Sequence, residues 1–204
     1  MGAQMVRTRP LLRVILAVSL VVGLYSEGYD RLWTPHLLEN FTFPLLFGLQ
    51  PIVWFGIIRA GSSLFSIAAT EIARRARITE TGGRLVGLMI FLDGAMLLAL
   101  LALAWAGNFW VALIALWIFS TARSTLGPLD SAWIVLHTSG QARATAISFA
   151  SQLNAIGQVV GGPAVGWIGT VVSLPAALTA SALLMSPILP LLLRGRRMEK
   201  ERNS

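Results

Sequence analysis

Six ionisable side chains stand where an apolar chain can least accommodate them. Glu27, Asp30 and Arg31 fall within five positions, in GLYSEGYDRLW, just beyond the apolar run Val14–Leu24. Arg59 interrupts WFGIIRAGSS, Asp93 follows IFL, and Arg123 sits in STARST. Insertion scales put a charge at the centre of a membrane helix at about 2.5–3.5 kcal/mol, so each is expected to face a partner or water rather than lipid. Charges so placed can pair with one another, border the path of a solute, or bind a coupling ion.

Helical spacing sorts the opening group. Glu27, Asp30, Arg31 and Thr34 share one face, and Glu27 and Arg31 form an i, i+4 pair. Two readings follow. Either this face lines a polar cavity, or the helix has already reached the membrane surface, with Tyr25, Tyr29 and Trp33 as an aromatic belt. Arg59 has no carboxylate within reach on its own segment, since Glu71 is twelve positions away. Its expected partner is Glu27 or Asp30 on the preceding segment. Asp93 and Arg123 are expected either as a structural pair or beside the same path. A fifth segment, SFASQLNAIGQVVGGPAVGWIG, adds amides: Asn154 and Gln158 share a face with Ser151, beside either a neighbouring helix or the path. Gly157–Gly161 and Gly162–Gly166 are GxxxG spacings that permit close helix approach in lipid. Pro163 loosens that helix, and Pro175, Pro187 and Pro190 do the same to the next, as suits a bundle that gates.

The elements that must position these residues follow from composition. Of 204 residues, 55% are hydrophobic and only 12% charged, too few charges to cover a soluble fold of this apolarity. Mean hydropathy is +0.72. Six segments are long enough to cross roughly 30 Å of hydrocarbon: 11–32, running on as far as Leu38, then 51–73, 85–106, 109–127, 144–168 and 171–193. The expected fold is all-α and integral to the membrane, a single six-helix domain with a basic cytoplasmic tail at 194–204.

The net charge of +7 reports topology and gives no support to a nucleic-acid partner. Arg7, Arg9 and Arg13 precede the first segment; Arg74, Arg75, Arg77 and Arg84 surround the second connection; Arg143 lies in the fourth, and Arg194, Arg196, Arg197, Lys200 and Arg202 follow the sixth. The connections near 40–50, 107–108 and 169–170 carry no Lys or Arg. Both termini and the 74–84 and 128–143 loops are therefore expected in the cytoplasm. The arginine-rich, Ala- and Gly-rich composition points to a bacterial inner membrane. The first helix is expected to be retained, because no A-x-A-like cleavage site follows it.

Enzyme classes find little footing. With no cysteine there is no thiolate nucleophile and no Cys-based metal site, and His36 and His137 lie too far apart for a ligand pair. No GxSG serine and no lipid head-group transferase signature occur. No cofactor or metal is expected.

Residues 126–169, LGPLDSAWIVLHTSGQARATAISFASQLNAIGQVVGGPAVGWIG, resemble the tenth-to-eleventh-helix region of major facilitator superfamily transporters. The likeness lies in Arg143-Ala144-Thr145 with Ser148, Gly157-Gln158, and Gly161-Gly162-Pro163 with Gly166. EIARRARITETGGR is similar to the superfamily's basic inter-helix loop, and SEGYDRLW would fall in its seventh helix. The resemblance implies a C-terminal half built of two inverted three-helix repeats. It implies a transporter, with efflux of a small or drug-like solute as the expected use. Its partners would be membrane lipid and either an N-terminal six-helix half or a second copy by self-association. A non-transporting membrane scaffold or partner subunit is the alternative, with an intramembrane enzyme behind it.

Overall fold

A computed structural model describes residues 10–44, 50–76, 82–138 and 140–203. Arg7, Arg9 and Arg77, counted in the charge asymmetry, lie outside the described residues. Among the described residues there are seven α-helices and no strand: α1 (Pro10–Asn40), α2 (Pro51–Arg75), α3 (Gly82–Ala104), α4 (Phe109–His137), α5 (Gln141–Val171), α6 (Leu174–Met185) and α7 (Ile188–Asn203). Five stretches are long and apolar enough to cross a membrane: α1, α2, α3, α4 and α6–α7 taken together. This is an all-α, membrane-embedded architecture. At 31 residues α5 is long enough as well, but it is not among the five. Gln152, Asn154 and Gln158, with five glycines, dilute its apolarity.

The boundaries depart from the expected spans in three places. Helix α1 runs unbroken through Pro35 to Asn40, so Tyr25 and Tyr29 lie mid-helix. Both are buried, and Tyr29 packs on Phe119 with ring centroids 4.1 Å apart. They face the core and form no belt. Helix α4 runs on through Pro128 to His137, so the expected 128–143 loop is helical over most of its length. The apolar spacing of Leu129, Trp133 and Ile134 keeps burying one face, and that packing outweighs the backbone bond lost at Pro128. The expected tail at 194–204 is also helical as far as Asn203. In α7, Glu199 is 4% exposed and its Oε1 accepts a 2.8 Å hydrogen bond from Trp133 Nε1. His137 Nε2 stands 3.2 Å from the same oxygen. A buried indole N–H needs an acceptor, and Glu199 supplies it.

Prolines and caps shape the last segment. The Ser173 hydroxyl accepts from Ala176 N to cap α6, with Pro175 in the first turn, where its missing N–H is of no consequence. The helix breaks at Ser186-Pro187 and restarts as α7.

Helix α1 is the hub. Its longest interface is with α5, and it also packs on α6, α7 and α4. Helix α3 packs on α4, α6 and α7. Helix α2 leans chiefly on α4 and is the least buried of the five spans. An apolar groove of about 520 Å³, lined by Phe65, Ile72, Phe91 and Leu92 among others, parts α2 from α3. Large apolar side chains such as Phe91, Leu98, Ile114, Val159, Trp167 and Leu183 point outward, as they must in a helix bundle solvated by lipid. At one end of the bundle Phe43, Trp54, Phe109 and Trp110 form an aromatic cluster, next to which His36 Nε2 donates to the Leu103 carbonyl.

The α1–α5 contact uses the glycines. A Cβ at Gly157 would collide with the backbone at Leu20 and Leu24, and one at Gly161 with the Leu24 carbonyl. Gly23 of α1 is likewise pressed on the Asn154 backbone. Contacts 23–154, 24–161 and 28–165 rise together along both helices, so α1 and α5 run parallel. The spacing Gly157–Gly161 does what GxxxG predicts. The second spacing does not: Gly162 meets only the Glu27 side chain, and Gly166 meets nothing. Pro163 sits inside α5 without interrupting it.

Candidate functional site: a polar cavity between α1, α2 and α4

At the level of Asp30, α4 crosses α1 and brings Arg123 opposite it. The two form a bidentate pair, with Arg123 Nη1 donating to Asp30 Oδ1 at 2.5 Å and Nη2 to Oδ2 at 2.8 Å. This is the fork geometry that makes an Arg–carboxylate pair strong and directional. The Arg123 guanidinium also stands 5.7 Å from the Tyr29 ring centroid. Tyr29 shares a hydrogen bond with Ser120, one turn from Ser124 on α4. The pair forms one wall of a cavity of about 540 Å³. Helix α2 supplies the opposite wall with Ile58, Arg59, Ser62 and Ser63; Trp33 and Leu116 complete the apolar part.

Helix α2 is registered on α4 by Trp117, whose Nε1 donates to the Ile58 carbonyl at 3.2 Å. The Trp117 ring fills the space left by Gly61, where a Cβ would overlap it. Ser124 Oγ donates to Ser66 Oγ at 2.6 Å. These contacts fix which face of α2 looks into the cavity, and Arg59 is on it.

The expected partner for Arg59 is not found. Arg59 makes no ion pair among the described residues, and neither Glu27 nor Asp30 bonds to it. The reason is topological: α2 packs along α4 and meets α1 only at an edge, through Trp33 and Phe55 at 5.8 Å. Helix α4 therefore reaches Asp30 first. The expected Asp93–Arg123 pair is absent because Arg123 is engaged through both nitrogens by Asp30. Asp93 on α3 is 4% exposed, and the carboxylate within electrostatic reach of it is Asp130 of α4.

Glu27 behaves as its spacing suggests. Its Oε1 accepts from Arg31 Nε at 2.7 Å, one turn along α1. This pair faces away from the first cavity, into a second of about 680 Å³ between α1 and α5, with Gln158, Gly162, Pro163 and Gly166. Gln158 Nε2 donates to Asn154 Oδ1 at 2.7 Å, so the two amides satisfy each other within α5. Asn154 borders a third cavity of about 320 Å³, with Ser19, Asp130, Ser131 and Ser151.

Of the residues singled out by sequence, Asp30, Arg59 and Arg123 thus meet at one cavity. Glu27, Arg31, Gln158, Gly162, Pro163 and Gly166 line another, and Asn154 borders the third. Asp93 lies in the core, and Gly157 and Gly161 hold α5 to α1. Sequence reasoning missed Asp130 and the serines. Asp130 is seven residues from Arg123 and so on the same face, but Gly127-Pro128 disguised it as a loop residue. The serines at 62 and 66, and at 120 and 124, were legible as i, i+4 pairs on one face of each helix. Among the described residues no group of His, Asp and Glu could hold a metal ion.

No family model matches the chain, and neither a curated protein nor a solved structure matches it.

Proposed function

We propose that the chain is a six-helix half of a transporter of the major facilitator type, corresponding to its C-terminal half. It works in a bacterial inner membrane with both termini in the cytoplasm, exports a small or drug-like solute, and performs no enzymatic chemistry. The observation that carries this reading is the open cavity of about 540 Å³ between three apolar helices, walled by a bidentate Asp30–Arg123 pair and by Arg59. Charges within apolar spans are characteristic of solute and ion paths. Their distribution supports it as well. The cavity residues come from α1, α2, α4 and α5, while α3 and α6 are apolar nearly all round. In a two-half transporter the first set faces the other half and the second faces lipid.

The packing pattern supports the inverted repeats. Exchanging the first three spans for the last three turns α1 on α5 into α4 on α2, and α3 on α4 into α6–α7 on α1. The pairs α1–α4 and α3–α6 map onto themselves. The exchange is incomplete, since α5 packs on α6 while a groove parts α2 from α3. In this reading α5 also spans the membrane, fifth in order, and brings the count to six: its amides look into cavities, and Ile156, Val159 and Trp167 are exposed. The other half is a preceding segment, a second chain or a second copy.

Two measurements test this. Cysteines placed singly at Ala144 and Val172 should label from opposite sides of the membrane, and labelling from one side removes α5 as a span. Cells producing the protein with its complementary half should retain less of an amphipathic fluorescent dye than cells producing Arg123→Gln at equal membrane abundance. Equal retention would remove the transport reading.

A further inference from the structure

The charges around the main cavity do not balance. Asp30 is committed through both oxygens to Arg123, which neutralises that guanidinium. Arg59 stands on the opposite wall without an ion pair among the described residues. No other carboxylate among the described residues faces it. Glu27 opens into the cavity on the far side of α1, and Glu71 is held by Arg74 and Arg75 at the end of α2. The cavity therefore carries one uncompensated positive charge, about 12 Å along α2 from its first residue at 1.5 Å per residue.

We propose that this cavity binds a small organic anion, with Arg59 holding its carboxylate and the aromatic wall holding its body. The guanidinium offers the planar fork that matches two carboxylate oxygens. Ser62, one turn or less from Arg59 and without a hydrogen bond among the described residues, supplies a further donor. Tyr29, Trp33, Ile58 and Leu116 give the apolar surface for an aromatic or short aliphatic body. The volume of about 540 Å³ falls within the range of small-molecule sites, roughly 300–1,000 Å³. An anion seated here completes the charge balance, which accounts for a cation within an apolar span. The inference deepens the transport reading by fixing the charge of the solute, but binding can be measured without transport. An anionic lipid headgroup offers similar oxygens, and the experiment separates the two sources.

The full chain, purified in an uncharged maltoside detergent, is titrated calorimetrically with benzoate, benzamide and benzylammonium. Benzoate should bind, benzamide at least about tenfold more weakly, and benzylammonium not at all. Arg59→Gln should lose benzoate affinity by about tenfold or more, and Arg59→Lys should retain part of it. Arg59 is exposed, so both variants should keep the wild-type gel-filtration profile and melting curve, and affinities are compared only under that control. Should Arg59→Gln fail it, Ser62→Ala stands in, with an expected loss of several-fold. Equal benzoate affinity in wild type and Arg59→Gln, or a preference for benzylammonium, overturns the proposal. Phosphatidylglycerol that displaces benzoate one for one makes this a headgroup site and overturns the solute assignment. Arg59-dependent benzoate binding with no flux in liposomes would sink the transport reading and leave the anion site standing. Flux of a neutral dye with no benzoate binding would do the reverse.

Discussion

Two carboxylates three residues apart on α1 have opposite fates. Asp30 reaches across to Arg123 of α4, while Glu27 turns back along its own helix to Arg31. Both lie in one apolar segment, and both had a cation available at i, i+4 or on a neighbouring helix. What separates them is the helix that backs each face. Toward Asp30 stands α4, with an arginine at the matching height. Toward Glu27 stands α5, drawn in by Gly157 and Gly161, and offering only Gly162 against the Glu27 side chain. A glycine spacing on one helix thus decides whether a carboxylate on another makes a cross-helix or a local pair. Exposure divides the cations and reverses for the carboxylates: Arg123 is 35% exposed against 72% for Arg31, while Asp30 is 46% exposed against 26% for Glu27.

The contrast can be broken most violently at its cause. Gly161→Leu forces a side chain into the Leu24 backbone, which cannot yield as a side chain would. The expected cost is about 3 kcal/mol or more, with α5 driven off α1. The folded, monodisperse fraction in detergent should collapse; a wild-type melting curve would mean that the close approach is not what joins the two helices. Arg123→Gln comes next, because it leaves Asp30 without its partner. The half-exposed pair puts the loss at about 1–3 kcal/mol, below that of a fully buried pair. Asp30→Asn added to Arg123→Gln should restore at least half of it, and a double-mutant cycle measures the coupling. Additive effects would show that the two residues do not depend on each other.

Smaller changes sharpen the comparison on the Glu27 side. At Gly162→Ala the new Cβ falls 2.6 Å from Glu27 Cγ, the flexible end of a side chain that can swing aside. The expected cost is under about 1 kcal/mol, far below that of the glycine one position earlier. If the two substitutions prove equally damaging, the division between backbone-contact and side-chain-contact glycines is wrong. Arg31→Gln should cost least, about 0.2–0.5 kcal/mol, as for an exposed i, i+4 pair, and its melting shift should shrink in high salt.

Local features were legible in the sequence and non-local ones were not. The Glu27–Arg31 pair, the Gly157–Gly161 contact and the helical spans follow from spacing along one helix. The partner of Arg123 does not, because it depends on which helix lies between α1 and α2, and a short connection between consecutive spans suggests that they touch. Trp33 and Phe55 touch, but α2 packs chiefly on α4. Gly127-Pro128 read as the end of a span, since both residues oppose helices in water. In a bundle the buried faces of Leu129 and Trp133 carry the helix through. The terminal segment read as a tail because its charges dominate, yet a single buried Glu199 docks it beneath Trp133. Nothing in the spacing of α7 announces a partner 66 residues away.

The fastening of α2 has a mechanical consequence. It is stitched to α4 along its length by Trp117 to Ile58 and by Ser124 to Ser66, and is parted from α3 by a groove. Helix α4 is itself packed closely on α3, so α2 is an outer stave carried by α4. The span between Arg59 and Trp33, and with it the mouth of the cavity, is set by how α2 seats on α4.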